Sequence, residues 1–246
     1  MGEIEFDLKT DDGTCPCYAY TAPGERSAPP VIFYMDGIGI RPDLRAMAER
    51  LASNGYFVLL PNLYYRGGKT PAFDPATMMT DPAQRDRMMQ LLRTVTRDNA
   101  MADTRVFLEY LSDELKVSGS RVGCVGYCMG GSVALNTAGT FPDRIAAAAS
   151  IHGAGLATDA PDSPHKLVGK IRGVVYVAVA GIDPWLQPGE TERLRDALDA
   201  AGTRYRIEDY PDVHHGFAAN GTPHYDRTAA ERHWERILAL FGDALA

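Results

Sequence analysis

Val122-Gly123-Cys124-Val125-Gly126-Tyr127-Cys128-Met129-Gly130-Gly131 is an apolar run that enters the alanine-rich stretch Ser132-Val133-Ala134-Leu135 through a turn crowded with glycine. It reads as strand, tight turn, helix. Within it, Gly126-Tyr127-Cys128-Met129-Gly130 has the G-x-S-x-G spacing of a nucleophile elbow, with cysteine in place of serine. The residue at such a turn is held in strained φ/ψ, and its neighbours two positions away must be small for strand and helix to pass closely. A thiol there also stands at a helix N-terminus, where the macrodipole and free N–H groups favour the thiolate. On this motif alone, a buried cysteine in an ordinary βα turn explains the pattern equally well.

Outward from the elbow, helix-like and strand-like stretches alternate. Ile4, Phe6 and Leu8 alternate with acidic residues as a half-buried antiparallel edge strand, Asp11-Asp12-Gly13 turns the chain, and Pro16 to Tyr20 returns. Val31 to Met35 and Tyr56 to Leu60 are unbroken apolar runs, as strands covered on both faces require. A helix from Pro42 carries Leu44, Met47, Ala48 and Leu51, and Asn54-Gly55 closes it. Residues 63–82 are irregular and rich in Gly, Pro, Tyr and Met, suited to lining a pocket. Two helices follow, Asp86 to Leu92 and Asp98 to Leu115, the second with Val106, Tyr110 and Leu111 inward. Beyond the elbow, strands run from Ile145 to Ile151, Val174 to Ala180 and Tyr205 to Tyr210. A helix stripe at Leu194, Ala197, Leu198 and Ala201 precedes the last of these. A final helix carries Trp234, Ile237, Leu238, Phe241 and Leu245 on one face. The reading is one α/β domain over residues 1–246, a mostly parallel sheet with helices on both faces and an antiparallel N-terminal edge. Ligands in such sheets bind at the C-terminal ends of the strands.

Composition narrows the class. The chain has 246 residues, a net charge of −7, 45% hydrophobic and 23% charged residues. That balance suits a cytoplasmic globular protein and argues against a nucleic-acid surface. The start, Met1-Gly2-Glu3-Ile4-Glu5, is acidic and alternating, which predicts no signal peptide, and no apolar run is long enough to span a bilayer. Cys15, Cys17, Cys124 and Cys128 make neither a disulfide scaffold nor a zinc site. Cys124 reads as a small core residue and Cys15 and Cys17 as strand residues.

A cysteine nucleophile needs a base and a group to orient that base. In elbow hydrolases the order along the chain is nucleophile, acid, histidine. After Cys128 the chain offers Asp183, just past the Val174 strand, and His214-His215, just past the Tyr205 strand. All lie at strand C-termini on one edge of the sheet. Asp183 before Pro184 could equally begin a turn. His152 ends the Ile145 strand and faces the same mouth, as a pocket-lining residue. His165, His224 and His233 read as structural. The oxyanion of an acyl intermediate needs N–H donors, by position those of Gly37 and Met129.

These motifs resemble the dienelactone hydrolase family, of α/β-hydrolase fold. The family carries G-Y-C-x-G-G, a later aspartate in a G-x-x-D-like turn, and H-G-F. Here they are Gly126 to Gly131, Gly181-Ile182-Asp183 and His215-Gly216-Phe217. The order of elements resembles the family along almost the whole chain. The resemblance implies an ester or lactone hydrolase with Cys128, Asp183 and His215 as catalytic residues, and it selects His215 over His214. It also implies that Asp36, where the family usually has Glu, holds or receives the cysteine proton. Degradative family members grip a substrate carboxylate with arginines. One of these lies shortly after the catalytic histidine, where Gly216 to Asn220 here hold no arginine, and the resemblance gives Arg85 as the counterpart of the other. Tyr64, Tyr65, Arg66 and Trp185 are further pocket candidates.

The implied reaction needs no metal or organic cofactor, and Gly37-Ile38-Gly39 lacks the spacing of a dinucleotide loop. The implied partner is a small ester or lactone, with no nucleic acid and no membrane, in a monomer or small homo-oligomer. Two rivals stand beside it: a non-catalytic or altered-specificity binding protein on the same fold, and a thiol redox protein pairing Cys128 with Cys15 or Cys17.

Overall fold

A computed structural model describes residues 2–21, 28–68, 70, 73–114 and 121–245. Among these, eight strands form one sheet: β1 (Gly2–Thr10), β2 (Gly13–Thr21), β3 (Pro30–Tyr34), β4 (Phe57–Pro61), β5 (Val122–Tyr127), β6 (Ile145–Ile151), β7 (Val174–Ile182) and β8 (Tyr205–His214). Their spatial order is β1-β2-β4-β3-β5-β6-β7-β8, with β2 antiparallel to both of its neighbours, β1 and β4, and every pair from β4 to β8 parallel. The expected mixed sheet with an antiparallel N-terminal edge is therefore present. Every residue of β3, β4, β5 and β6 is buried, which is why those runs are continuously apolar. Among the described residues no helix is long and apolar enough to cross a membrane.

The helices are α1 (Pro42–Ala52), α2 (Pro82–Leu92), α3 (Arg97–Glu114), α4 (Met129–Thr140), α5 (Glu190–Ala201) and α6 (Arg227–Leu245). In α1 the stripe Leu44, Met47, Ala48 and Leu51 is buried as its spacing predicts. Three readings need correction. Helix α2 starts a turn earlier than Asp86: Pro82 opens it, and the Asp81 side chain accepts from the Ala83 and Gln84 N–H groups, an N-cap that the periodicity reading passed over. In α3 the buried face holds Ala100, Asp103, Thr104, Phe107 and Leu111, whereas Val106 and Tyr110 lie at its margin. The hydropathy stripe misses this face because two of its members are polar. Its expected end at Leu115 lies outside the described residues. In β1, Phe6 packs against Tyr110 with ring centroids 4.8 Å apart, but Ile4 is exposed rather than half-buried.

The polar residues buried in α3 pin two neighbours. Thr104 and Thr137 both hydrogen-bond the Tyr34 hydroxyl, at 2.8 and 2.9 Å, joining β3 to α3 and α4. Asp103 takes a two-pronged contact from Arg66, at 2.6 and 2.8 Å, and a hydrogen bond from the Tyr65 hydroxyl. Arg66 also bonds Asp12 in the β1–β2 turn. The loop after β4 is thereby fixed, and with it the fully buried Tyr64 at the sheet's C-terminal edge.

Candidate active site

The four neighbouring strands β5, β6, β7 and β8 each hand one residue past their ends: Cys128, His152, Asp183 and His215. Parallel pairing puts those ends on a single rim, so residues far apart in sequence meet there.

Cys128 is the N-cap of α4, with φ 54° and ψ −118°. A side chain in that region carries strain of about 1–3 kcal/mol, which persists only where the surroundings force it. Here the Cys128 N–H donates to the Ile151 carbonyl and its own carbonyl accepts from Gly131. The flanking glycines have a measurable reason. A Cβ on Gly126 would collide with the Gly130 carbonyl, and one on Gly130 would stand 2.6 Å from the Tyr34 and Met35 carbonyl oxygens. The sulfur, half-buried, lies at the positive end of α4.

His215 Nδ1 lies 2.7 Å from Asp183 Oδ2, and Asp183 Oδ1 accepts from the Trp185 N–H at 2.9 Å. An ionised carboxylate can only accept, so Nδ1 carries the proton and the neutral ring keeps its lone pair on Nε2. Burial opposes charge on this imidazole. The negative charge of Cys128 and the Asp183 hydrogen bond outweigh it, raising the pKa to about 10. Nε2 is buried with no hydrogen-bond partner among the described residues, while the ring feels the charge of Cys128. Catalytic contacts in unliganded sites are often this loose.

His152 is buried, has φ 39°, and packs its ring 4.8 Å from that of His215. Neither of its nitrogens has a hydrogen-bond partner among the described residues. Burial holds its pKa well below the usual value, with the charges of His215, His233 and Arg41 adding to the effect. It is a neutral wall against which His215 rests.

Asp36 is committed elsewhere than the thiol. Arg41 binds both of its oxygens, at 2.8 and 2.9 Å, and the Ile38 and Gly39 N–H groups donate to Oδ1. The carboxylate expected to hold the cysteine proton thus braces its own loop, and no hydrogen bond joins it to Cys128 among the described residues. Arg41 itself was missed in the sequence, although its place directly before the helix-starting Pro42 and five residues after Asp36 is visible there. The neighbouring Gly37 carbonyl accepts from the Tyr64 hydroxyl at 2.8 Å. The Gly37 and Met129 N–H groups have no acceptor among the described residues. For Met129 this follows from its place in the first turn of α4.

Of the remaining candidates, Tyr64 belongs to the site: the charges of Cys128 and Asp36 add to the burial that raises its pKa. Trp185 is exposed and contributes its backbone N–H to Asp183. Arg85 is exposed on α2 beside Asp86, at 3.6 Å, and is not brought to Cys128. Arg66 and Tyr65 serve the Asp103 network instead. His214 is exposed and stacks on His224, and His233 is buried against the Tyr127 hydroxyl. Cys15 and Cys17 are free thiols on β2, their sulfurs 3.9 Å apart. β2 stands three places from β5, about 14 Å at the usual strand spacing. A disulfide to Cys128 is out of reach, which removes that redox pairing. Among the described residues no three His, Cys, Asp or Glu side chains gather as metal ligands.

A sequence profile of the dienelactone hydrolase family matches residues 16–245. Carboxymethylenebutenolidase of Rhodococcus opacus is 28% identical over 243 residues, covering 97% of this chain and 90% of its own. The Pseudomonas putida carboxymethylenebutenolidase is 26% identical, covering 88% and 86%. Among solved structures, a dienelactone hydrolase-like promiscuous phosphotriesterase from metagenomic libraries shares the fold, with a TM-score of 0.74, 24% identity and 99% of both chains covered.

Proposed function

This chain belongs to the dienelactone hydrolase family, and on that premise we propose that it hydrolyses a small ester or lactone by two-step acyl transfer through Cys128. The Cys128 sulfur, as thiolate beside an imidazolium, attacks the carbonyl carbon and forms the C–S bond. The carbonyl oxygen becomes an oxyanion held by the Gly37 and Met129 N–H groups, which have no acceptor among the described residues. Collapse breaks the C–O bond, and His215 Nε2 gives its proton to the departing alkoxide. The neutral ring then takes a proton from water, which attacks the thioester and returns the sulfur to its starting state. Asp183 keeps the ring in the tautomer that makes both transfers possible.

The observation that carries this reading is the His215 ring, bonded to Asp183 through Nδ1 while its buried Nε2 has no hydrogen-bond partner among the described residues and the ring feels the charge of Cys128. Asp36 has a supporting part: it fixes the loop that presents the Gly37 N–H. The substrate is uncharged near its carbonyl, because Arg41 and Arg66, on the two loops bordering the site, are each neutralised by a carboxylate. The protein is a cytoplasmic enzyme in this reading, and every step uses only its own groups and water. Turnover of p-nitrophenyl acetate tests it. Wild type should release p-nitrophenol and carry one acetyl group on Cys128 in rapid-quench mass spectra. Equal rates for wild type and Cys128→Ala overturn the reading.

A further inference from the structure

A cavity of about 280 Å³ lies against α4 on the side of residues 95–100 and 154–164. Its lining excludes Cys128 and His215 but includes Met129, the residue directly after the nucleophile. Met129, Ser132, Val133 and Asn136 line it at helical positions i, i+3, i+4 and i+7, so they form one face of α4. Seven residues of helix span about 10 Å, so the cavity runs that far from the elbow along the helix.

Asn136 is its anomaly. The residue is 5% exposed, and its Oδ1 is buried without a hydrogen-bond partner among the described residues. A buried amide left bare is costly, and native folds match such groups with a partner. The opposite wall is held in shape by residues that have nothing to do with the rim. The buried carboxylate of Glu190 accepts from the Leu156, Ala157 and Gln187 N–H groups, and Ser163 Oγ accepts from the Thr158 N–H. A rigid wall across from the lining residue Asn136, with the first turn of the nucleophile helix at its near end, is the form of a specificity pocket. The charged members, Arg97 and Asp162, are of opposite sign, so nothing here selects an ion.

We propose that this cavity is the subsite for an arm of the substrate that ends in a neutral hydrogen-bonding group, a hydroxyl or a primary amide, which pairs with the Asn136 amide. The subsite rests on the ester-hydrolase reading for its purpose and deepens it: the enzyme takes esters with a polar-tipped arm long enough to run from the Cys128 sulfur along α4.

Two matched substrate pairs test it, each differing only in a terminal hydroxyl or methyl group: p-nitrophenyl 8-hydroxyoctanoate against the nonanoate, and 8-hydroxyoctyl acetate against nonyl acetate. Wild type should prefer the hydroxyl member of one pair by about tenfold in kcat/KM, the worth of one well-placed hydrogen bond. Asn136→Leu should bring that ratio to one or below. The ratio is internal to each protein preparation, so partial misfolding of the variant does not mimic the result. A ratio that is the same in both proteins, or a wild-type ratio of one in both pairs, overturns the subsite. A second readout is independent of turnover. In ¹⁵N-labelled wild type, the side-chain amide signals of Asn136, identified by their absence in Asn136→Leu, should shift saturably with 8-hydroxyoctanamide. A shift without any ester turnover leaves the subsite standing and fails the hydrolase reading. Turnover without a saturable shift does the reverse, and assigns the amide to water.

Discussion

Arg41 closes a two-pronged salt bridge on Asp36, Nη1 to Oδ1 at 2.8 Å and Nη2 to Oδ2 at 2.9 Å, with both side chains about nine-tenths buried. Oδ1 also takes the Ile38 and Gly39 N–H groups, and no hydrogen bond runs from the carboxylate to Cys128 among the described residues. With Asp where the family usually has Glu, the side chain is one methylene shorter. The group that would share the cysteine proton serves instead as the anchor of the Gly37 loop. The partner left for that proton is His215.

Breaking a buried pair by removing one member strands the other charge and costs about 3–5 kcal/mol. Asp36→Ala is therefore expected to lower stability by about 3 kcal/mol or more. The double variant Asp36→Ala, Arg41→Met should recover most of the loss. Urea midpoints of wild type, Asp36→Ala, Arg41→Met and the double variant check this. Purely additive losses would mean that the pair carries no coupling.

The Gly37 carbonyl leans on the Tyr64 hydroxyl. Tyr64→Phe removes that bond and should cost about 1 kcal/mol of stability. If the Gly37 N–H holds the oxyanion, the freed peptide should also lower kcat about tenfold with little change in KM. Steady-state kinetics on p-nitrophenyl acetate reads the split, and a pure KM effect counts against the Gly37 assignment.

Gly126→Ala drives a methyl group into the Gly130 carbonyl, which is backbone and cannot swing aside. The expected loss is about 3 kcal/mol or more, the upper range of overpacking effects. A thermal scan checks it, and a variant within a degree or two of wild type would contradict the packing described.

His215 should titrate near pH 10 by imidazole proton NMR, and both Cys128→Ala and Asp183→Asn should lower that midpoint. An unmoved midpoint in Cys128→Ala would remove the case for a sulfur–imidazole pair. The sign for stability follows from a folded pKa raised above the ordinary 6.5. The contribution is full below about pH 6.5 and is lost as pH rises through about 10. The stability gap between wild type and His215→Gln should accordingly shrink across that window.

Much of this was legible from residue order alone. Continuous apolar runs gave β3 to β6, and Gly126 and Gly130 betrayed the close strand–helix crossing. Cys128, Asp183 and His215 were picked out by their order along the chain and their places just past strands, and β7 and β8 prove longer than read, so that each falls one residue beyond a strand end. What stayed hidden depended on pairing. Asp103 and Thr104 look like solvent residues until Arg66 and Tyr34 are seen to meet them. Asp36 looked like a neighbour of the thiol until Arg41 folded back on it. Asn136 gave no signal, since a polar residue on an alanine-rich helix looks exposed unless a loop some twenty residues later covers it.

His152 stands on the strand between those that deliver the sulfur and the carboxylate, yet no bond is made or broken at it. Its ring still braces His215, and Gly153 is pressed against Ser150 and Gly131, so the freedom to rewrite this rim begins just beyond them. Retargeting this scaffold toward new esters should begin by diversifying the cavity-lining positions among residues 154–164.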